Sequence, residues 1–223
     1  MAKSALIIGA SRGLGLGLVK EFISRGWRVT GTVRTPAQEL EQIAGAAVER
    51  LDIDLPDQIA ALRERLDGQR FDLLFVNAGV MMRDRSETIG MVTTAEFTRV
   101  MTTNALSPMR VLEGLGDLVD ATGTIAVMTS VLGSVSRNTG GDAEVYRASK
   151  AALNSLFKGF AARQRKPLTF LAVHPGWVQT EIGGSNAVLD VATSVRGVAD
   201  VVEKRAGKRG VAFVDNNDME IPW

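Results

Sequence analysis

A tyrosine and a lysine four residues apart are the first residues whose types and spacing suggest chemistry. They lie in the stretch Tyr146–Lys150, and Tyr146 is the only tyrosine in the sequence. Apolar residues recur around them at helical spacing, at Val145, Ala148, Ala152, Leu156 and Phe160. Residues four apart share one face of a helix, with Cβ atoms about 5–6 Å apart, so the Lys150 ammonium can lie beside the phenol. A nearby cation lowers the pKa of a tyrosine from about 10, and we therefore expect a phenol that exchanges protons near neutral pH.

The sequence begins with a strand and a glycine-rich turn that could bring a phosphate to this helix. Ala5–Ile8 is a continuous apolar run, typical of a strand buried on both faces of a parallel sheet. Gly9, Gly13 and Gly15 follow in the pattern G-x-x-x-G-x-G, and an apolar-periodic segment continues to about Arg25. A strand, a turn and a helix in this order point backbone N–H groups at an anion, which predicts a dinucleotide phosphate site. A simple turn is the alternative.

The same turn also fits the nucleophile motif of a different class of enzyme. Gly9–Gly13 reads G-x-S-x-G, in which Ser11 would be the nucleophile of an α/β-hydrolase. The sequence offers one histidine, His174, as the base, and only eight residues precede Gly9 to supply part of an oxyanion hole. A hydrolase therefore stays the second interpretation of this turn.

Two arginines near the turn bear on the choice of cofactor. Arg34 ends a predicted second strand, Trp27–Val33, where NAD-binding folds usually carry an acidic residue for the ribose 2′-hydroxyl. An arginine there suits a 2′-phosphate, and Arg12 adds a second positive charge within the turn. Either arginine alone would be interpreted as a solvated surface charge, but together they favour NADP(H).

Strands and helices alternate along the rest of the sequence. The spacing predicts helices over Pro36–Ala44, Pro56–Leu66, Thr94 to Asn104 ahead of Pro108, and Ala192–Arg205. It predicts further strands over Ala47–Ile53, Phe71–Val76, Gly123–Thr129, Leu168–Val173 and Gly210–Val214. This alternation predicts an α/β fold, a single domain over residues 1–223 with a Rossmann-type, doubly wound parallel sheet of about seven strands and helices on both faces. Ser130 then lies at the carboxyl end of the fifth strand, the edge at which open α/β sheets bind ligands.

Length and composition argue against several other functions. A chain of 223 residues with a net charge of +1 gives no reason to expect nucleic acid or a membrane as a partner. No apolar run approaches the roughly 18 residues of a membrane-spanning helix. The sequence has no cysteine and one histidine, so neither thiol chemistry nor a metal site is predicted. A cytoplasmic location fits this composition.

Taken together and in order, these pieces resemble the short-chain dehydrogenases/reductases along nearly the whole sequence. The matching features are the Gly9–Gly15 turn, Asp52, Asn77-Ala78-Gly79, Asn104, Ser130, Tyr146 with Lys150, and Pro175-Gly176. The stretch Tyr146–Asn154, the run Pro175–Thr180 and the terminal Ile221-Pro222-Trp223 are most similar to the C-factor-like carbonyl reductases of that family. Val76 departs from the family, which often has a second asparagine at this position.

The resemblance implies the reduction of a carbonyl, in an aldehyde, ketone or quinone, to an alcohol with NADP(H). Tyr146 would be the general acid, and Lys150 would lower its pKa and hold the nicotinamide ribose. Ser130 would donate a hydrogen bond to the carbonyl oxygen, and Asn104 would hold a water that links Lys150 to solvent. The hydride comes from the nicotinamide, so the protein supplies orientation and electrostatics.

The resemblance also implies which residues contact the cofactor. The turn and the second strand supply Gly9, Ser11, Arg12, Gly13, Leu14, Gly15 and Arg34. Asp52 and Ile53 would line the adenine, and Asn77, Ala78 and Gly79 would line the riboses. Besides Tyr146 and Lys150, the remaining contacts would be Pro175, Gly176, Val178 and Thr180.

The same resemblance leaves one alternative function open and implies that the protein forms an oligomer. A catalytically silent NADP-sensing or signalling protein on this fold stays an alternative, because a dinucleotide fold does not guarantee turnover. Relatives commonly form homodimers or homotetramers through the helices that contain Asn104 and Tyr146, so an oligomer is expected by resemblance. The other expected partner is a small-molecule carbonyl or alcohol.

Overall fold

Seven short strands form one parallel sheet in the computed structural model, which describes residues 2–223. The strands are β1 (Ser4–Ile8), β2 (Arg28–Val33), β3 (Ala46–Arg50), β4 (Phe71–Val76), β5 (Val119–Met128), β6 (Thr169–His174) and β7 (Gly210–Asp215). Their order across the sheet is β3-β2-β1-β4-β5-β6-β7, and every pairing is parallel. The predicted doubly wound sheet is confirmed. Parallel strands present their carboxyl ends at a common edge, which brings the turn after β1 close to the segments after β4 and β5.

Side chains alternate between the two faces of the strands, and each face has its own core. In β1, Leu6 and Ile8 join one core, which also contains residues of the helices around Ile59, Val111 and Phe157. Ala5 and Ile7 join the second core, with residues of the first and last helices. All residues of β1 are buried, as the continuous apolar run predicts for a strand covered on both faces.

Within residues 2–223, seven α-helices cover the two faces of the sheet. They are α1 (Gly13–Ser24), α2 (Gln38–Glu41), α3 (Pro56–Arg65), α4 (Thr94–Met101), α5 (Ser107–Leu115), α6 (Glu144–Arg163) and α7 (Val191–Arg205). Short 3-10 turns lie at Gly116–Leu118 and Val131–Gly133. The helix predicted over Pro36–Ala44 is shorter and spans only Gln38–Glu41, and Gly45, with a φ of +87°, then turns the backbone into β3. β3 ends at Arg50, so Asp52 and Ile53 lie in the connection that follows it.

The helix that begins at Thr94 does not end before Pro108, as the sequence predicts, but continues through α5 to Leu115. A π turn at Thr102–Leu106 joins α4 to α5. Proline has no N–H, so Pro108 cannot donate to the Asn104 carbonyl four residues earlier. The helix accommodates the proline at the start of α5, directly after the wide turn. Asn104 therefore lies inside an irregular turn, and π turns of this kind are frequent at functional sites.

Candidate active site

The glycine-rich turn lies at the carboxyl end of β1 and is packed too tightly for side chains. Gly9 has a φ of +85°, and a Cβ on it would lie 2.8 Å from the Ala78 Cα. A Cβ on Gly15 would lie 1.9 Å from the Gly9 carbonyl oxygen. Asn77 Nδ2 donates to that same carbonyl at 2.8 Å, so Asn77 ties the turn to the end of β4. Only glycine fits at these two positions, and Asn77 has a structural contact that the sequence did not predict.

The start of α1 is arranged to receive an anion. The helix has 12 residues, no side chain caps its N-terminus, and no acidic residue lies in its first turn. Its first backbone N–H groups and the positive end of its dipole therefore point toward the space above the turn. Ser11 and Arg12 are exposed beside this end, whereas Gly13 and Leu14 are half-buried.

The two arginines of the sequence argument lie in different surroundings. Arg34 directly follows β2, is exposed and makes no ion pair among residues 2–223. Arg12 forms an ion pair with Glu181, which follows Thr180 on the other side of the cleft. Glu181 and a 2′-phosphate would compete for the same guanidinium. Arg34 is thus the cation that is open to a ligand, and the contact with Glu181 was missed because the two residues lie 169 positions apart.

Tyr146 and Lys150 lie together in the first half of α6, as their spacing predicts. Both are buried, with 6% and 4% of their surface exposed. The Lys150 Nζ lies 5.8 Å from the centre of the phenol ring and donates to the Met128 carbonyl at 3.0 Å. Because Met128 ends β5, this hydrogen bond fixes α6 against the edge of the sheet where Ser130 follows.

The predicted direction of the tyrosine pKa is wrong. Burial raises the pKa of Tyr146 to about 12, although the Ser130 hydroxyl and the charge of Arg85 act in the opposite direction. Burial also lowers the pKa of Lys150 to about 8, since the ammonium loses its hydration. The neighbouring cation can be inferred from the sequence, but the desolvation of both groups depends on the folded chain. The phenol is therefore a protonated donor at neutral pH.

Asn104 is completely buried in the π turn, and its side chain is fully engaged. Its Oδ1 accepts from the Val80 N–H at 2.7 Å, and its Nδ2 donates to the Val80 carbonyl at 2.8 Å and to Ser149 Oγ at 3.0 Å. Ser149 Oγ in turn donates to the Tyr146 carbonyl at 2.7 Å, which links Asn104 to α6. A Cβ on Gly79 would lie 3.2 Å from Asn104 Oδ1 and 3.4 Å from Lys150 Nζ, so a larger residue there would press on both side chains.

Ser130 follows β5 and lies at the N-terminus of the 3-10 turn Val131–Gly133. Its hydroxyl is close enough to the Tyr146 phenol to lower the pKa of that group, and it accepts from the Leu132 N–H at 3.2 Å. Asn154, two turns along α6 from Tyr146, holds this segment on both sides. Thr129 Oγ1 donates to Asn154 Oδ1 at 2.7 Å, and Asn154 Nδ2 donates to the Gly133 carbonyl at 3.3 Å. Asn154 belongs to the stretch that carries the family resemblance, but its sequence context predicts no role for it.

The remaining predicted contacts lie around the same edge of the sheet. Ile53 is buried, and Asp52 Oδ1 accepts from the Asp54 N–H at 3.1 Å, which shapes the connection after β3. After β6, the Pro175 carbonyl accepts from Ser194 Oγ at 2.7 Å, and Gly176 has a φ of +85°. Val178 is buried and bridges to Leu189, while Thr180 Oγ1 accepts from the Gly183 N–H at 3.0 Å.

The strand order argues against the hydrolase interpretation of the glycine turn. β6, which ends in His174, lies three places from β1, after which Ser11 follows. Neighbouring strands are about 4.8 Å apart, so roughly 14 Å separate the two strands and no nucleophile–base hydrogen bond is made. The Nδ1 atom of His174 is buried without a hydrogen-bond partner among residues 2–223, and burial lowers the pKa of this side chain to about 4.

Comparison with known proteins decides the family. The sequence profile described as short chain dehydrogenase matches residues 3–187. The chain belongs to the short-chain dehydrogenase family. This short-chain dehydrogenase is 39% identical over 156 residues to C-signal of Myxococcus xanthus, an alignment that covers 68% of this chain and 92% of that protein.

Solved structures are similar over the full length of this short-chain dehydrogenase. A short-chain dehydrogenase/reductase from Burkholderia multivorans, solved with bound NADP, has a TM-score of 0.97 and 45% identity, with complete coverage of both chains. A carbonyl reductase from Pseudomonas aeruginosa PAO1, in complex with NADP, has a TM-score of 0.91 and 33% identity, also with complete coverage of both. The chain is an oxidoreductase of this family. Within residues 2–223, no helix has the length and apolar character needed to cross a membrane.

Proposed function

We propose that this short-chain dehydrogenase reduces a carbonyl, in an aldehyde, ketone or quinone, to an alcohol with NADPH, and that it catalyses the reverse oxidation with NADP. The observation that carries the proposal is the meeting of Ser130, Tyr146 and Lys150 at the carboxyl end of β5. A protonated phenol, a hydroxyl and a buried amine converge there on one small region. The residues assigned to catalysis are these three together with Asn104.

Each of these side chains has a definite task in the reduction. The nicotinamide, when bound, supplies the hydride that adds to the carbonyl carbon. Tyr146 donates its phenolic proton to the carbonyl oxygen, and Ser130 donates a hydrogen bond to the same oxygen while negative charge develops on it. The Lys150 ammonium, 5.8 Å from the centre of the ring, stabilises the phenolate that remains.

Asn104 acts through its backbone in this proposal. Its side chain is occupied by Val80 and Ser149, so it has no free donor for a water. Its carbonyl, in contrast, faces a proline four residues later and lacks the usual helical donor. We therefore assign the water that would link Lys150 to solvent to the Asn104 carbonyl, and we assign the side chain to holding Val80 and α6 in place.

The chain fits NADP(H) at the carboxyl edge of the sheet. The uncapped start of α1 suits the pyrophosphate, and the exposed guanidinium of Arg34, which makes no ion pair among residues 2–223, suits the 2′-phosphate. Two similar structures were solved with NADP. The residues proposed to contact the cofactor are those that the family resemblance implies, with Asn77 contributing by shaping the turn.

A catalytically silent NADP-binding protein is the alternative, and a carbonyl screen separates the two. Aldehydes, ketones and quinones are offered singly while the absorbance of NADPH is followed, with the Tyr146→Phe variant beside each assay. Turnover that depends on Tyr146 supports the proposed reduction. NADPH binding with no turnover of any compound in the panel would favour the silent protein.

We further propose that the protein forms a homodimer or homotetramer through α4, α5 and α6. Phe97 of α4, Leu106 of the π turn between α4 and α5, and Leu156 of α6 are exposed apolar side chains. The similarity to C-signal and to a carbonyl reductase also supports a place in the C-factor-like branch of the family. Sedimentation of the protein with Leu106→Glu and Leu156→Glu tests the assembly, because a charge on this face should dissociate it.

A further inference from the structure

Two clefts lie at the amino-terminal end of the sheet, opposite the candidate active site, and both border strand β7. The larger cleft has a volume of about 390 Å³ and lies between the end of α6 and the strands β6 and β7. The smaller cleft has a volume of about 180 Å³ and is lined by the end of α7 and by the same two strands. Arg209, Gly210 and Val211 line both clefts, so the clefts flank the start of β7.

The walls of these clefts are strongly basic. Their charged lining residues are Lys158, Arg165, Lys166, Arg205, Lys208, Arg209 and a single acid, Glu220. The whole sequence, in contrast, has 26 basic and 25 acidic residues. Arg205 is paired with Asp218, but Arg165, Lys208 and Arg209 make no ion pair among residues 2–223. The floor is apolar, with Leu168, Phe170 and Val211.

β7 is an edge strand, and only its second half is covered. The Ile221 N–H donates to the Phe213 carbonyl at 2.8 Å, and the Asp215 N–H donates to the Met219 carbonyl at 3.0 Å. The chain after β7 therefore pairs with Phe213 and Asp215. Val211 lies two residues before Phe213, so the N–H and C=O of Val211 point to the same side of the strand as those of Phe213, away from β6. The described part of the chain places no backbone partner on them.

We propose that this open edge binds an extended acidic segment of another protein as an added strand. The Val211 N–H and C=O would make the backbone hydrogen bonds of the new strand. Successive side chains of a strand point to opposite faces, so they would enter the larger and the smaller cleft in turn. Acidic side chains on one face of the added strand would pair with Arg165 and Arg209 in the larger cleft, and apolar side chains on its other face would lie over Ala212 in the smaller cleft.

The charge and shape of the site favour this occupant over others. A second copy of the chain would bring the same basic residues against this edge, so like charges would oppose self-pairing. A flat bilayer cannot enter two clefts on opposite faces of one strand. Cations along an edge strand can also serve only to prevent other strands from pairing with it. In that case no peptide should bind.

The test uses fluorescein-labelled octapeptides and fluorescence anisotropy at low salt. The acidic peptide alternates glutamate and valine, a second peptide has lysine for glutamate, and a third carries a central proline. We expect binding of the acidic peptide, at least tenfold weaker binding of the proline peptide, and none of the lysine peptide. Hydrogen exchange should show protection of the Val211 amide when the acidic peptide is added.

Variants of the protein identify the surface that binds the peptide. The double variant Arg165→Glu with Arg209→Glu should bind the acidic peptide at least tenfold more weakly. Arg28→Glu is the matched control, because Arg28 is also exposed, lies at the amino end of a strand and makes no ion pair among residues 2–223. NADPH-dependent turnover should be unchanged in both, and Arg165→Gln with Arg209→Gln replaces the double variant if charge reversal disturbs folding.

Several results would overturn the proposal. The absence of acidic-peptide binding would leave the cations with a protective role only. Equal binding of the proline peptide would exclude an added strand. Binding of anionic phospholipid vesicles or duplex DNA that is lost in the double variant, without peptide binding, would assign the surface to those partners. Dissociation of an oligomer by the double variant would make this edge a self-association surface.

Discussion

Tyr146 and Lys150 are buried beside each other, and burial moves their pKa values in opposite directions. The pKa of the phenol rises to about 12 and that of the ammonium falls to about 8. At neutral pH the phenol carries its proton, which is the form that a reduction needs. The pKa of the amine is brought close to neutral pH, so the amine can gain or lose a proton there. In the proposed reduction, the pair would therefore be suited to passing a proton from Lys150 to Tyr146 after each turnover.

The variants Tyr146→Phe and Lys150→Met should fail in different ways. Tyr146→Phe removes one hydroxyl, so the fold and the affinity for NADPH should be nearly unchanged, while turnover falls by about 10²–10⁴-fold. Lys150→Met removes the charge and the donor proposed for the ribose, so affinity and turnover should fall together. NADPH titration and carbonyl reduction are measured for both. A Tyr146→Phe enzyme that turns over at the unmodified rate would refute the mechanism.

His174 should make the protein sensitive to acid. Its pKa is about 4, mainly because it is buried, while Asp215 raises and Arg137 lowers it. The unfolded chain binds a proton near pH 6.5 and the folded chain does not, so stability is lost as the pH falls from 6.5 to 4. Over this range His174→Leu should lose less stability than the unmodified protein, by on the order of 2 kcal/mol. Urea unfolding at pH 7 and pH 4 measures the difference, and parallel losses in both proteins would contradict it.

Arg34 should decide the cofactor. A charge-assisted contact with the 2′-phosphate should make NADPH bind at least about tenfold more tightly than NADH. Arg34→Asp should erase or reverse this preference, since a carboxylate repels the phosphate and suits a ribose hydroxyl. Affinities for both cofactors are compared by fluorescence titration, with Arg28→Asp as the control. Equal affinities in the unmodified protein would exclude the assignment.

Residue types and local spacing predict contacts between residues that lie close together on one helix or strand. They do not predict contacts between segments that are distant in the sequence. The pairing of Tyr146 with Lys150 follows from helical geometry, so the sequence is sufficient for it. The direction of their pKa shifts depends on desolvation by distant segments, which no local pattern contains. The ion pair of Arg12 with Glu181 is likewise formed by segments that meet only in the folded chain.

At the scale of elements, the segment after β5 is held against α6 by close backbone packing. A Cβ on Gly133 would lie 2.8 Å from the Lys150 carbonyl carbon and 2.9 Å from its Cβ. Asn154 and Thr129 complete the attachment through side-chain hydrogen bonds. Ser130 lies at the start of this segment, so its position relative to Tyr146 depends on how closely the segment approaches the helix.

Gly133→Ala should therefore damage both stability and turnover. The added methyl group overpacks the contact with Lys150, at a cost of about 1–3 kcal/mol, and moves Ser130 away from the phenol. Gly159→Ala is the control on α6, where a Cβ meets open space and alanine stabilises a helix by roughly 0.5–1 kcal/mol. Urea unfolding and carbonyl reduction are measured for both. Normal turnover in Gly133→Ala would show that the close packing does not position Ser130.

Element types are predictable here, and element ends are less so. The strands follow from short apolar runs between turn residues, and their alternation with helices fixes the class of fold. The prediction that a helix ends before Pro108 is wrong because a wide turn accommodates the proline. A single sequence signals the proline but not the tertiary contacts that hold the turn, such as those from Thr103 and Ser107 to Asp54 at 2.7 Å.

At the scale of the whole molecule, the end of the chain returns to the segment that carries Ser130. Ser134 Oγ donates to the Pro222 carbonyl, and Ser136 Oγ donates to the Trp223 carbonyl at 3.0 Å. The Trp223 ring packs 5.4 Å from Phe213 of β7, measured between ring centres. The edge of the sheet and the active-site segment are thereby connected through the last residues.

Loss of this connection should affect substrate binding more than cofactor binding. Ser134→Ala with Ser136→Ala removes both donors, and because the acceptors at Pro222 and Trp223 are partly exposed to water, the loss should cost about 0.5–1.5 kcal/mol for each hydrogen bond. The loosened segment should raise KM for the carbonyl, while the Kd for NADPH stays within about twofold. Steady-state kinetics and NADPH titration test this expectation. An increase confined to the NADPH Kd would place the effect at the cofactor instead.

The wide turn at Thr102–Leu106 amounts to one surplus residue in an otherwise regular helix. Loss of one codon from this segment would remove the wide turn that accommodates Pro108, without a change in the length of any strand. The sheet and its two cores would remain, but Asn104 would no longer face Val80 and Ser149 together. The smallest genetic event that could create or remove this part of the site is therefore an insertion or deletion of three nucleotides.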